Sequence, residues 1–190
     1  LIRDSAYRGI SKTVRANLHE RFADWVVENF RNRAGEYEEM VGYHLERAYR
    51  TLSELGPANQ RTKFLAQRAV VQLASAGRRA FARGDMSAAV NLLSRATSLP
   101  PERDPKRLEL LPQLAFALLE TGDLTRLQAV VAETSDVARA SGDLGLEARA
   151  LILRLWIRPL TNPEGWAEEA EKEAALAIDA FKEEALPLPE

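Results

Sequence analysis

Leu73-x2-Ala76-Gly77-x2-Ala80, then Gly84-Asp85, then Ala89-x3-Leu93-x2-Ala96-x4-Pro101: this stretch of the 190-residue chain decides the fold. Two runs of small and large apolar residues at three- and four-residue steps flank a Gly-Asp pair, the pattern of two helices joined by a tight turn. Antiparallel helices approach closely only where small side chains face each other, and Gly77, Ala89 and Ala96 supply such places. Gly84 can take the left-handed conformation that ends a helix, and Asp85 can cap the next one. Arg83-Gly84-Asp85 also spells an adhesion tripeptide, but the turn accounts for it and short motifs recur by chance.

Working outward, the same punctuation recurs. Towards the N-terminus, Ser11 caps a helix predicted from Lys12 to about Asn32, whose Val14, Leu18, Phe22, Trp25, Val26 and Phe30 share one face. Gly35-Glu36-Tyr37 closes it, and Tyr37 to Leu55 forms the next helix before Gly56-Pro57. Thr62 to Arg83 and Met86 to Ser98 are the central pair. Asp104-Pro105 opens a helix to Glu120, with Pro112 predicting a kink. Gly122-Asp123 leads to Leu124 to Ala140, and Gly142-Asp143 to Leu144 to Arg158. Asn162-Pro163-Glu164 opens a last helix carrying Trp166, Ala170, Ala174, Ala177 and Phe181, and Leu186-Pro187-Leu188-Pro189 reads as a frayed tail. The glycines at 35, 84, 122 and 165 are separated by 49, 38 and 43 residues.

The order of small and large residues in the central pair resembles the tetratricopeptide repeat, whose unit is roughly 34 residues. Leu73, Ala80 and Leu93 stand where that family has large rings, so the resemblance implies its hairpin packing without its standard curvature. The expected fold is all-α: a right-handed superhelix of about four antiparallel hairpins, a degenerate tetratricopeptide-like solenoid. Residues 1–10 would be the end of a preceding winged-helix-like module, 11–57 a first long hairpin and 58–190 the repeats. In the family geometry the first helix of each hairpin lines the concave side, which nominates Arg78, Phe81, Phe116 and Glu120 as groove residues.

A second resemblance covers more of the chain. Leu1-Ile2-Arg3-Asp4-Ser5-Ala6-Tyr7, Leu18-His19 and Gly42-Tyr43-His44-Leu45-Glu46-Arg47-Ala48 look like the junction in large bacterial signalling proteins where an ATPase module meets helical repeats. Gly84-Asp85-Met86-x-Ala88-Ala89-Val90-Asn91-Leu92-Leu93-x-Arg95-Ala96 is similar to the repeat block of multidomain adenylate/guanylate cyclases; ATP-dependent transcription activators share the layout. The resemblance implies a non-catalytic interaction or sensor scaffold, contacting a protein or peptide and the neighbouring modules of its own chain. The alternative is a freestanding adaptor that captures a peptide.

Composition agrees with a helical protein: 46% hydrophobic and 28% charged residues with only 10 Gly. A net charge of −2 makes no general case for nucleic acid, and the absence of cysteine excludes disulfides and thiolate metal sites. With no signal peptide and no apolar run of membrane-spanning length, a cytoplasmic protein is expected. His19-Glu20 begins like a metalloprotease helix, yet Ala23 stands where the second His would be. Both His19 and His44 therefore read as structural or surface residues. Phosphate-binding glycine loops are missing, Glu168, Glu169, Glu171 and Glu173 read as a solvated helix face, and Trp25, Trp156 and Trp166 read as core. No catalytic residue, metal or cofactor is expected. Charge is uneven: residues 1–83 carry 15 Lys/Arg against 9 Asp/Glu, and residues 164–190 carry 2 against 9.

Overall fold

The computed structural model describes residues 9–101, 104–142, 144–161 and 166–183, and over these the chain is all-helical. Eight helices follow one another: α1 Lys12–Asn29, α2 Ala34–Ser53, α3 Gln60–Ala82, α4 Met86–Thr97, α5 Pro105–Glu120, α6 Leu124–Ser141, α7 Leu144–Thr161 and α8 Trp166–Glu183. No strand occurs among the described residues. The expected elements at 1–8, Asp143, Asn162 to Gly165 and the tail from 184 lie outside them.

The chain forms two compact units, residues 1–102 and 103–190. In the first, α1 packs on α2, α2 on α3 and α3 on α4; in the second, α5 packs on α6, α6 on α7 and α7 on α8, with α5 also meeting α7. Within each unit, sequential packing follows from the short connections, which lay consecutive helices side by side.

Capping explains where the helices begin. Ser11, Asp85, Asp104 and Asp123 each accept a hydrogen bond from a first-turn backbone N–H, of Val14, Ala88, Lys106 and Arg126 in turn. Gly84, Gly122 and Gly142 hold φ of 76°, 73° and 66°, the left-handed region that the Gly-Asp pairs anticipate. At α3 the cap is reciprocal: the Asn59 side chain accepts from the Thr62 amide at 3.0 Å, and Thr62 Oγ1 accepts from the Asn59 amide at 2.9 Å. Asn59→Ala should cost about 1 kcal/mol, the usual worth of such a cap. It should appear as a lower urea midpoint at constant slope; an unchanged midpoint would show that α3 starts without it.

The first connection departs from the expected one. Gly35-Glu36-Tyr37 does not close α1; the helix stops at Asn29, a 3-10 turn covers Arg31–Arg33, and Gly35 lies in the first turn of α2. No proline or left-handed glycine marks this corner, which is why sequence punctuation misplaces it.

The first unit's core is built from Leu45, Leu65, Leu73 and Leu93 with Ala16, Ala23, Ala48, Ala69, Ala80, Ala89 and Ala96, each 0–1% exposed. Gly42 and Gly77 sit where α2 meets α3 and α3 meets α4: a Cβ on either would lie 2.9 Å from the Cγ of Leu73 or of Leu93. In the second unit Leu110, Leu111, Leu118 and Leu127 are fully buried, and Ala138, Leu146 and Ala150 form a cluster flanked by Leu108 and Val137. Ion pairs tie α3 back to α1, Arg61 to Glu20 and Arg68 to Asp24, both at 2.5 Å. Glu46 of α2 accepts from Arg50 at 2.9 Å and from Arg95 of α4 at 2.8 Å.

Candidate partner-binding face

Helix α1 buries Val26 of its apolar stripe but turns most of the stripe outward. Its buried residues are Ala16, Ala23 and Val26, whereas Val14, Leu18, Phe22 and Trp25 are 47%, 50%, 38% and 51% exposed. Alanines let α1 approach α2 closely, and the ion pairs to Arg61 and Arg68 hold it from the α3 side. The large side chains are left outside. Trp25 is therefore not a core residue, and neither is Trp156, 41% exposed; the side chain of Trp166 lies outside the described residues. Periodicity groups residues on a face without saying which face turns inward, and the smaller residues won.

Along the seam between α1 and α2 the exposed rings join a run of aromatic contacts. Phe22 packs against His44 with centroids 4.4 Å apart and planes tilted by 45°, and lies 6.0 Å from Trp25; Trp25 meets Phe30 edge-on at 5.7 Å, and Phe30 meets Tyr37 at 4.6 Å. Tyr43, 44% exposed, stands perpendicular to His44 at 5.2 Å. Such a continuous apolar surface is unusual on a chain that has enough small residues to bury its larger ones.

The chain's two histidines face each other here. Nδ1 of His19 and Nδ1 of His44 are 2.8 Å apart, so one carries a proton and donates it to the other. Burial pushes the His19 imidazole down to about 4, helped by His44, Arg47 and Arg15, and burial lowers His44 as well. Both rings are thus neutral near pH 7. A depression of about 560 Å³ opens beside them, lined by Arg15, Leu18, His19, Arg21, Phe22, Trp25 and His44.

Arg78 and Glu120 are exposed, and Phe81 and Phe116 are half-buried. Arg78 and Phe81 lie one turn apart on α3 of the first unit, and Phe116 and Glu120 one turn apart on α5 of the second. The Phe116 ring meets Trp156 edge-on at 5.4 Å. None of the four lines the depression.

Among the described residues, no group of three or more His, Cys, Asp or Glu is placed to hold a metal ion, and no helix is long and apolar enough to cross a membrane. Comparison with protein-family models, with curated proteins and with solved structures finds no match. The functional reading rests on the residues.

Proposed function

We propose that this chain is a non-catalytic protein-interaction or sensor scaffold whose hairpins form a degenerate, tetratricopeptide-like right-handed superhelix. Its setting would be a bacterial signalling protein that carries ATPase and nucleotide-cyclase or transcription-regulating modules, in the cytoplasm. Two things support the reading: consecutive helices packed as hairpins about Gly-Asp turns, and the motif resemblance from Leu1 to Ala96. The observation that carries it is the outward aromatic face of α1, because four large apolar side chains held on a well-packed helix serve contact better than they serve stability. The partner would act by differential binding, favouring one arrangement of the scaffold relative to attached modules over another.

A photo-crosslinking residue in place of Trp25, irradiated in the host cell, tests this. It should give an adduct with another polypeptide or with another module of the same chain, whereas the same residue at Glu109, exposed on α5, should not. Equal yields at the two positions would count against the scaffold reading.

A further inference from the structure

We propose that the outward face of α1 pairs with the same face of a second copy of this chain, the two helices running antiparallel about a two-fold axis. The inference rests on the scaffold reading and names the occupant of its face. Val14, Leu18, Arg21, Trp25 and Glu28 recur at steps of four, three, four and three residues, the spacing that keeps side chains in one seam along a helix. All five are exposed. The seam is roughly 21 Å long at 1.5 Å per residue, and it runs past the depression at both ends, which neither Val14 nor Glu28 borders. A helix with the same period therefore covers it more fully than a small molecule does.

Charge decides which helix. Helix α1 carries Lys12, Arg15 and Arg21 against Glu20, Asp24 and Glu28, and four of these six are already engaged within the chain. Lys12 pairs with Glu54, Glu20 with Arg61 and Asp24 with Arg68, and Arg15 has a partner of its own. The side chains of Arg21 and Glu28 have no ion pair or hydrogen bond among the described residues. They stand in the seam seven residues apart, roughly 10 Å along the axis, too far to meet each other. An occupant that satisfies both must set a carboxylate against Arg21 and a cation against Glu28 at that same spacing; an acidic or a basic helix satisfies one and repels the other. Helix α1 turned end for end is such an occupant. With the two-fold axis level with Trp25, Arg21 of each copy faces Glu28 of the other, so the contact is made twice and the patch is its own complement. Parallel pairing would set Arg21 against Arg21 and Glu28 against Glu28. In the antiparallel pair Trp25 of both copies meets at the axis with Phe22 beside it, and the two ion pairs close the rings in from either end.

The test is sedimentation equilibrium of the 190-residue chain. One helix against one helix is a small interface, so dimers should form with a dissociation constant on the order of 10–100 µM. Phe22→Ser with Trp25→Ser should weaken association at least tenfold. Arg21→Glu alone and Glu28→Arg alone should each weaken it about tenfold, because each removes two attractions and adds two repulsions. Mixed in equal amounts, those two single variants should associate with each other as well as the wild type does with itself, since the antiparallel pair then sets Glu against Arg at both ends. All these side chains are exposed, and far-ultraviolet melting of each variant establishes that it is folded. A wild-type chain that stays monomeric through that range, single charge variants that associate as the wild type does, or a mixture that fails to associate overturns the proposal. If the chain is monomeric while Trp25 crosslinks to a different polypeptide, the occupant is wrong and the scaffold stands; if the chain is monomeric and Trp25 crosslinks no better than Glu109, the scaffold falls with it.

Discussion

Gly42→Val should destabilise the first unit by about 3 kcal/mol, and Leu73→Ala by a similar amount, but the two together should cost at least 1 kcal/mol less than the sum of the separate effects. The reason is geometric. A Cβ at position 42 would stand 2.9 Å from both Cγ and Cδ2 of Leu73 and 3.2 Å from the Leu73 amide nitrogen. Leu73 is fully buried, so its side chain has little room in which to swing aside. Overpacking of this kind typically costs about 1–3 kcal/mol, and valine adds two methyl groups to the collision. Leu73→Ala opens a cavity of the sort that costs about 2–5 kcal/mol. In the double variant the valine methyls occupy the space the leucine vacates, which is how residues in contact depart from additivity. Urea titrations of the four proteins give the cycle. Strict additivity would show that α2 and α3 do not meet at this point.

That contact lies at the level the sequence does not state. Gly77, Ala89 and Ala96 were recognisable as flat places because the Gly-Asp turn between them fixes which residues of α3 and α4 face each other. Gly84, Gly122 and Gly142 announced their turns through the one residue type that tolerates positive φ. The corner at Arg31–Arg33 carries no such mark, so the register of α1 on α2 was not readable, and everything that depends on it was missed. Val14, Leu18, Phe22 and Trp25 were legible as one face and illegible as an outer face, since alanines at 16 and 23 offer an equally periodic inner one. The histidines show what a correct corner would have yielded. His19 and His44 stand 13 and 12 residues either side of Asn32 at the centre of the turn, so folding the hairpin there brings them opposite each other. The elements came from propensity and punctuation, whereas the candidate face came from a choice between two packings of similar period, made by side-chain volume and by the pairs to Arg61 and Arg68.

The histidine pair should make the chain less stable in mild acid than carboxylate protonation alone would. In the folded chain both imidazoles are held below their ordinary value, His19 at about 4, whereas in the unfolded chain they return to about 6.5. Between those limits the unfolded state binds more protons, so stability falls as pH drops from about 6.5 towards 4 and is fully present above that window. The full shift of His19 would be worth about 3 kcal/mol at 1.36 kcal/mol per unit. The rings border an open depression, and screening by water reduces the expected loss to about 1–2 kcal/mol. The neighbouring charges that act on His19 all disfavour its protonated form. Arg15 and Arg47 repel a charge on His19, Phe22 and Tyr43 cover the His44 ring without offering a carboxylate, and a second proton would set two cations against each other across 2.8 Å. His19→Phe should therefore flatten the difference in urea midpoint between pH 7 and pH 4.5. What remains would come from carboxylates such as Glu54, whose pairing with Lys12 holds it low. Because the chain has 2 histidines in all, its imidazole proton resonances report this pair alone, and both should titrate below the ordinary histidine range. A resonance with its midpoint near 6.5, or equal pH dependence in the wild type and the His19→Phe variant, would mean that the two rings do not hold each other neutral in the folded chain.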